Sequence, residues 1–199
     1  MVDKTIPFKD IIMVAENLTE QKPVLPEGFY LDTYREGDEV AWAEMEHFAG
    51  DFSTVERGVG YFKSAYLLSL DSPERMIAVR NPEGKAVAYC IAWRSFSKDE
   101  VCNTLQFLVT AKGYEGMGRA RAAAKETINR YIKLGAKRVY LHTQPWSYKA
   151  IWLYHQVGFR ISRNAELQTF GNQCDEALEI LETLIPADKM KQIRDGVID

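Results

Sequence analysis

The sequence predicts an α/β domain of the layered α+β kind, in which a mixed, mostly antiparallel central sheet is flanked by helices. Two observations predict it. The runs 76–79 and 86–93 are apolar and are joined by a loop containing Pro82 and Gly84, which is typical of an antiparallel hairpin. From residue 103 onward, strand-like and helix-like runs alternate, which favours some parallel neighbours.

The elements before the hairpin follow from local patterns. The run 8–15 fits a short amphipathic helix, and the run 28–35 alternates in polarity as a strand does. Asp38 is placed as the N-cap of a first long helix, because aspartate accepts hydrogen bonds from free helix amides. A second helix is predicted over 55–66, interrupted near its two glycines.

The elements after the hairpin alternate regularly. They are a strand at 103–109, a helix at 119–134 ended by Gly135, a strand at 139–143, a helix from Ser147 to Gly158, a strand at 159–162, and two short helices within 175–194 around Pro186. We therefore expect three regions in the chain. They are an N-terminal helical extension and linker at 1–25, a functional domain at 26–164, and a C-terminal helical tail at 165–199.

Composition excludes several classes of protein. The longest apolar run, 86–93, is far shorter than the ~20 residues of a membrane span, so no membrane association is expected. The three cysteines are widely spaced and form no metal-binding pattern, which favours reduced thiols, a cytoplasmic location and no metal. The formal net charge is −3, which argues against nucleic acid as a partner.

The charge is unevenly distributed. Between Ala111 and Tyr140, eight basic residues stand against two acids, a net of +6, so the rest of the chain carries −9. This basic segment suits an anionic ligand, although a solvated helix face would have the same composition.

A glycine-rich turn lies within the basic segment, between a predicted strand and a predicted helix. It reads Gly113-Tyr114-Glu115-Gly116-Met117-Gly118-Arg119. The spacing differs from the dinucleotide fingerprint, and no Walker motif follows. Glycines let a phosphate approach backbone N–H groups, and the start of a helix is positive. The turn therefore predicts an anion-binding site, with an ordinary flexible turn as the alternative.

The stretch 105–159 resembles the acyl-CoA-binding core of the GCN5-related N-acetyltransferase (GNAT) superfamily. In that family a Gln/Arg-x-x-Gly-x-Gly/Ala turn binds the CoA pyrophosphate, and Gly116 and Gly118 match it, while Gly113 replaces the Gln or Arg. The resemblance implies a GNAT-like acyl-CoA N-acyltransferase fold at 26–164 and acetyl-CoA as cosubstrate. The residues implied to bind acetyl-CoA are Gln106, Phe107, Leu108, Gly113, Tyr114, Glu115, Gly116, Met117, Gly118, Arg119 and Ser147.

A second motif lies near the end of the domain. The family's last helix often reads Asn-x-x-Ala-x-x-x-Tyr-x-x-x-Gly-Phe, and here Ala150, Tyr154, Gly158 and Phe159 match, with Ser147 at the Asn position. The resemblance implies that Tyr154 is the general acid. A tyrosine with an ordinary pKa of about 10 is protonated at pH 7 and has a proton to give to a leaving thiolate. The alternative is a half-buried structural tyrosine.

The general base is less clearly marked. His142 lies five residues before Ser147, where some members of the family carry a glutamate base, so the resemblance implies that it acts as base or positions a water. The alternative is a hydrogen-bonded histidine packed in a strand. Glu44, Glu46 and His47 on the first helix are rival bases.

The acceptor is implied only by class. The segment 32–51 holds seven acids against Arg35, and in the family this region borders the acceptor cleft, so a cationic acceptor and a solvated helix are both open. We expect an acetyltransferase that moves the acetyl group of acetyl-CoA to a small-molecule or peptide amine by direct attack. A homodimer is one possible oligomeric state. The alternatives are a catalytically inactive CoA-binding sensor or regulatory module of the same fold, and a small-molecule-binding regulator unrelated to CoA.

Overall fold

A computed structural model describes residues 3–69, 71–167 and 169–199. Residues 1 and 2 of the predicted extension and residue 168 of the predicted tail lie outside the described residues. The strands are β1 Ile11–Glu16, β2 Tyr30–Thr33, β3 Met76–Arg80, β4 Ala86–Ser97, β5 Glu100–Thr110, β6 Arg138–Thr143 and β7 Arg160–Ile161. The helices are α1 Asp38–Ala49, α2 Val55–Tyr66, α3 Ser72–Arg75, α4 Arg119–Lys133, α5 Tyr148–Gln156, α6 Cys174–Glu182 and α7 Ala187–Asp195.

The strands form a seven-stranded sheet in the order β2-β3-β4-β5-β6-β1-β7. The pairs β2/β3, β3/β4, β1/β6 and β1/β7 are antiparallel, and β5 runs parallel to β6 at Thr104↔Tyr140. The predicted α/β architecture with a mixed, mostly antiparallel sheet and flanking helices is therefore confirmed.

The chain groups into two compact units. Unit 1 comprises residue 1 with the ranges 20–93 and 105–133, and unit 2 comprises the ranges 2–19, 94–104 and 134–199. Unit 1 contains β2, β3 and helices α1 to α4, and unit 2 contains β1, β6, β7 and helices α5 to α7. The predicted boundaries at 26 and 164 stay a prediction.

In unit 1, α1 and α2 pack over an aromatic core. Trp42, Phe62, Tyr66 and Tyr89 are buried there together with β3 residues such as Met76. Asp38 was predicted to cap α1, but the cap is Gly37, with φ of 96°. The Asp38 carboxylate instead accepts hydrogen bonds from both terminal nitrogens of Arg80, at 2.6 and 3.0 Å. A buried guanidinium needs such a partner, which explains why the carboxylate is not used as a cap.

The interruption predicted in α2 is wrong, because the helix is continuous from Val55 to Tyr66. A Cβ at Gly58 would lie 2.8 Å from the Cβ of Ala43 on α1, whereas a Cβ at Gly60 would meet nothing within 4 Å. Gly58 therefore allows the two helices to approach closely. The packing of α1 against α2 offsets the low helix propensity of glycine.

The two glycines of α2 make a matched pair for a stability test. Gly58→Ala is expected to lower the free energy of unfolding by about 1–3 kcal/mol, because the added methyl overpacks the contact with Ala43. Gly60→Ala is expected to raise it by up to about 1 kcal/mol, because alanine favours the helix and space is open. Urea denaturation of both variants measures the two values. Equal changes would contradict the close approach of the helices.

In unit 2, β1 lies between β6 and β7. The helix predicted over 8–15 is wrong, because Ile11–Glu16 is a strand whose first five residues are all buried. An apolar residue at every position gives neither a helical nor an alternating period, and a strand buried on both faces produces that pattern. Ile12 stands opposite His142 in the register of β1 with β6.

The remaining predicted elements are confirmed with small shifts at their ends. They are the strands at 28–35, 76–79, 86–93, 103–109, 139–143 and 159–162, the helices at 119–134 and from Ser147, and the two short helices around Pro186. None of the helices in the described residues has the length and apolar character that crossing a bilayer requires.

Candidate functional site

The glycine turn precedes α4 in unit 1. Gly113, Gly116 and Gly118 have φ of 83°, 75° and 81°. At Gly116 and Gly118 an added Cβ would meet nothing within 4 Å, so the backbone there faces open space. Within the described residues, the structure records no acceptor for the N–H groups of Gly116, Met117 and Gly118. Exposed, unpaired amides at the start of a helix are suited to bind phosphate oxygens.

The Arg119 side chain packs against the glycine turn. Its side chain is buried, its guanidinium lies 4.1 Å from the ring centroid of Phe29 and 5.1 Å from that of Tyr114, and it donates a hydrogen bond to the Tyr114 carbonyl oxygen at 3.1 Å. The Tyr114 hydroxyl accepts a hydrogen bond from Asn81 at 3.3 Å. Arg119 and Tyr114 thus hold the turn in shape, and the charge of Arg119 stays close to it.

Glu115 engages the first amide of the turn. The Gly113 N–H donates to the Glu115 carboxylate at 2.6 Å, and the Tyr114 N–H donates to the Ala111 carbonyl oxygen at 3.0 Å. The amides of Gly113 and Tyr114 are therefore already paired within the chain. The amides left for a ligand are therefore those of Gly116, Met117 and Gly118.

A cavity of about 390 Å³ adjoins the turn. Its walls include Met117, Gly118 and Arg121 on one side and the segment 24–26 on the other. The Lys125 side chain also lines it and donates a hydrogen bond to the Lys22 carbonyl oxygen at 3.1 Å. Apolar surface next to two cationic side chains suits a planar ring bearing a phosphate.

The segment 106–108 of β5 also lies in unit 1. Phe107 has a φ of 49°, in the left-handed region that a phenylalanine rarely adopts, so β5 is irregular at this point. Gln106 accepts a hydrogen bond from the buried Tyr66 hydroxyl at 2.7 Å. The structure therefore brings Gln106, Phe107 and Leu108 into the same unit as the glycine turn.

His142 lies in unit 2 and has a carboxylate partner. Its Nε2 is 2.6 Å from the Asp10 carboxylate, and its ring stacks on Phe170 with the ring centroids 3.7 Å apart. Burial lowers the pKa of His142 and outweighs the opposing effect of Asp10. The imidazole is therefore neutral at neutral pH. With Nε2–H donated to Asp10, Nδ1 carries the lone pair, which is the tautomer a general base needs.

Tyr154 and Ser147 also lie in unit 2. Tyr154 is buried on α5, and its ring packs edge-on against Phe159 with the centroids 6.0 Å apart. Ser147 takes the N-cap position of α5, and its hydroxyl accepts a hydrogen bond from the Gln144 side chain at 3.1 Å. The structure thus places the predicted phosphate-binding turn in unit 1 and the predicted acid and base in unit 2.

The acidic segment 32–51 is partly neutralised by its own neighbours. Arg80 contacts Asp32 at 2.5 Å and Asp38 at 2.6 Å, and Lys63 lies 3.3 Å from Glu39. Glu46 differs from these acids, because its buried Oε1 has no hydrogen-bond partner among the described residues.

The three cysteines are free thiols in buried or half-buried positions. Burial raises the pKa of the Cys90 thiol to about 12, and burial also raises the pKa of Cys102 and of Cys174. A thiol with a raised pKa is a poor nucleophile at neutral pH. No group of three or more His, Cys, Asp or Glu side chains in the described ranges is arranged to hold a metal ion.

Sequence reasoning missed the partners of these residues. Asp10 had no signal, because it lies within the run 8–15 that was interpreted as a helix, and only the pairing of β1 with β6 brings it to His142. The positive φ of Phe107 had no signal in the sequence either.

The fold and the turn define a GNAT-type acyltransferase architecture. The model of the acetyltransferase (GNAT) family matches residues 30–159, and the chain belongs to this family. No curated protein matches the sequence.

Solved structures share the fold at low identity. A GCN5-related N-acetyltransferase from Sphaerobacter thermophilus is 22% identical, with a TM-score of 0.59 over 79% of this chain and 51% of that chain. A GNAT-family acetyltransferase from Colwellia psychrerythraea is 15% identical, with a TM-score of 0.57 over 78% of this chain and 54% of that chain. The NatC complex bound to Gag peptide and CoA includes a chain that is 12% identical, with a TM-score of 0.50 over 65% of this chain and 83% of that chain. This chain spans about half the length of the first two proteins.

Proposed function

We propose that the protein transfers the acetyl group of acetyl-CoA to a primary amine by direct attack, with Tyr154 as general acid. The observation that most supports this function is the glycine turn, whose amides at Gly116, Met117 and Gly118 are unpaired and exposed at the start of α4. Membership of the GNAT family supports acyltransferase activity. The NatC complex, which is bound to CoA, supports the cosubstrate.

The residues of unit 1 fit a CoA-like ligand. The three free amides would hold pyrophosphate oxygens, each hydrogen bond to a charged oxygen contributing about 1.5–3 kcal/mol. The adjoining cavity, with Arg121 and Lys125, would hold the adenosine end. The main chain at 106–108 would hold the pantetheine arm, as the family resemblance implies. When bound, acetyl-CoA supplies the acetyl thioester.

Two side chains, those of Tyr154 and His142, would transfer the protons. The Tyr154 hydroxyl holds the proton that the departing sulfur needs, and the matches at Ala150, Gly158 and Phe159 support this role. The His142 Nδ1 lone pair takes the proton that the amine must lose, directly or through water. The hydrogen bond from Nε2 to Asp10 supports this role, because it fixes the tautomer.

His142→Ala is expected to lower the rate most at low pH, where the amine is hardest to deprotonate. Because the pKa of His142 is lowered, the parent keeps a neutral imidazole to below the ordinary histidine value and loses activity as pH falls through that lowered pKa. A rate–pH profile of parent and variant measures the effect. His155→Ala serves as control, because burial also lowers the pKa of His155 but no carboxylate among the described residues orients its ring. If the rate–pH profile of His142→Ala overlays that of the parent, His142 is a structural residue and not a base.

Acetyl-CoA and a panel of amines test the function in two steps. A thermal shift with acetyl-CoA reports binding, and release of free thiol with each amine reports transfer. A shift with release supports the enzyme. A shift without release on any amine supports the catalytically inactive CoA-binding sensor instead. The absence of both the thermal shift and the thiol release would contradict CoA binding itself.

A further inference from the structure

An aromatic ring covers one face of His142 in unit 2. Phe170, in the segment 169–173 that precedes α6, stacks on the imidazole with the ring centroids 3.7 Å apart and the planes 8° from parallel. Carbon atoms in van der Waals contact lie about 3.5–4.0 Å apart, so the two rings overlap almost completely and no water fits between them. Phe170 itself is 43% exposed, so its ring separates this face of the imidazole from solvent.

The backbone around Phe170 holds the stacked ring in place. Aromatic pairs prefer offset or edge-on arrangements to a face-to-face stack, so the two rings alone do not explain this geometry. The Phe170 N–H donates a hydrogen bond to the Leu167 carbonyl oxygen at 3.0 Å. The Asn172 amide nitrogen lies 2.9, 3.2 and 3.0 Å from the carbonyl oxygens of Ser162, Arg163 and Ala165. Contacts on both sides of Phe170 in the sequence therefore fix its position over His142.

The segment 169–173 also contacts Asp10, the carboxylate partner of His142. The Gln173 N–H donates to the Asp10 carbonyl oxygen at 2.8 Å, and the Gln173 side-chain oxygen accepts from the Asp10 N–H at 3.4 Å. A Cβ at Gly171 would lie 3.1 Å from Asp10 Oδ2, so glycine lets the segment pass close to the carboxylate. Asp10 and the segment 169–173 thus form one hydrogen-bonded unit beside the imidazole.

This unit contacts the imidazole at two places. Asp10 lies 2.6 Å from Nε2 at one edge of the ring, and Phe170 covers one face. A parallel stack covers a face and leaves the ring edges open, so Phe170 does not block Nδ1. The arrangement therefore limits rotation of the imidazole and removes water from it while Nδ1 stays accessible.

We propose that Phe170 is a positioning residue for His142, because its ring excludes water from one face of the imidazole and holds Nδ1 oriented to take a proton. The importance of this orientation for catalysis rests on the proposed function, in which His142 is the base. The state of the imidazole itself can be measured without any reaction.

The charged groups near His142 determine the direction of the expected effect. They are Asp10 before β1, Tyr140 on the same face of β6, and Lys4, whose ammonium lies over the Trp146 ring at 5.9 Å. The segment 169–173 has no titratable side chain. Asp10 and the aromatic face both favour an imidazolium. Burial nevertheless lowers the pKa of His142, so the exclusion of water is the larger effect.

An NMR titration of the three histidines tests the proposal in the absence of acetyl-CoA and amine. The spectrum of His142→Ala assigns the His142 resonances. In Phe170→Ala the pKa of His142 is expected to rise toward its ordinary value, because water then solvates the imidazolium. The low-pH limb of the rate–pH profile is expected to move to higher pH, because activity is lost as His142 becomes protonated. The plateau kcat is expected to fall about tenfold or more, because the imidazole is no longer held in one orientation.

Two further variants serve as controls. Phe170→Tyr keeps the stacked ring and is expected to retain both the lowered pKa of His142 and the parent kcat. Phe96→Ala is the matched control, because Phe96 also lies in unit 2, is 42% exposed, and is not among the rings that contact His142 in the described residues. It is expected to leave the pKa and kcat unchanged.

Two results would overturn the proposal. They are a His142 pKa in Phe170→Ala that equals the parent's, and equal changes in Phe170→Ala and Phe96→Ala. If Phe170→Ala does not fold, Asn172→Ala decides the matter, because it loosens the segment and is expected to raise the same pKa, and an unchanged pKa overturns the proposal. A raised pKa in Phe170→Ala, with no turnover by the parent on any amine, would contradict the proposed function and leave the effect of Phe170 on His142 established.

Discussion

Replacing Tyr154 with phenylalanine is expected to lower turnover by about 10²–10⁴-fold, the usual contribution of a positioned general acid. The variant keeps the ring and its edge-on packing against Phe159, and it loses the hydroxyl group with its proton. Affinity for acetyl-CoA is expected to change little, because the predicted phosphate-binding turn lies in unit 1 and Tyr154 in unit 2. Steady-state kinetics over a range of pH measures the effect, and the high-pH limb of the profile is expected to change.

Tyr148→Phe is the matched control for Tyr154→Phe. It removes a hydroxyl from the first residue of the same helix, at a position outside the family motif, and is expected to leave turnover unchanged. If the Tyr154 hydroxyl only stabilises the fold, its loss lowers the melting temperature and leaves turnover of the folded fraction intact. Near-parent turnover in the Tyr154→Phe variant would falsify the role of general acid.

Gly118→Asp is expected to weaken acetyl-CoA binding by more than 100-fold. The substitution places a carboxylate beside the amides that would hold the pyrophosphate, and losing two charge-assisted hydrogen bonds costs about 3 kcal/mol or more. Space is open around the added Cβ, so the turn has room for the side chain. Titration calorimetry of folded variant and parent gives the ratio of affinities.

Gly135→Asp controls for the backbone strain and the charge. Gly135 follows the end of α4 with φ of 73°, close to the 81° of Gly118, and its Cβ would also meet nothing within 4 Å. An aspartate at either position adopts a left-handed conformation at a similar cost. The control is expected to bind acetyl-CoA as the parent does. Equal losses in both variants would trace the effect to strain or net charge and remove the turn as the binding site.

Much of the fold was predictable because its signals are local. Two apolar runs on either side of Pro82 and Gly84 predict the hairpin of β3 and β4. Gly135 correctly predicts the end of α4. Two elements, β1 and α2, were predicted wrongly because contacts with other elements decide their conformation. β1 is a short, wholly apolar run whose conformation is decided by β6, more than a hundred residues away. The continuity of α2 is decided by packing on α1, where the glycine that seemed to break the helix is the one that fits Ala43.

The same distinction between local and long-range signals holds for the candidate site. The glycine turn was predictable because a phosphate cradle is one continuous segment with its own spacing. The pairing of His142 with Asp10 was not, because it joins residues from distant parts of the sequence. The same is true of Arg80, whose buried guanidinium takes Asp38 from its predicted role as a cap. Glu46 was visible only as one rival base among three, and its near-complete burial is what distinguishes it from Glu44 and His47.

Titration of the parent protein with acetyl-CoA, followed by calorimetry, is the most direct test of the central claim that the glycine turn serves an acetyl-CoA-dependent transferase. We expect saturable binding to a single site on each chain, weakened as salt rises because the turn binds charged phosphate groups. The absence of saturable binding, or binding that Gly118→Asp leaves intact, would contradict it.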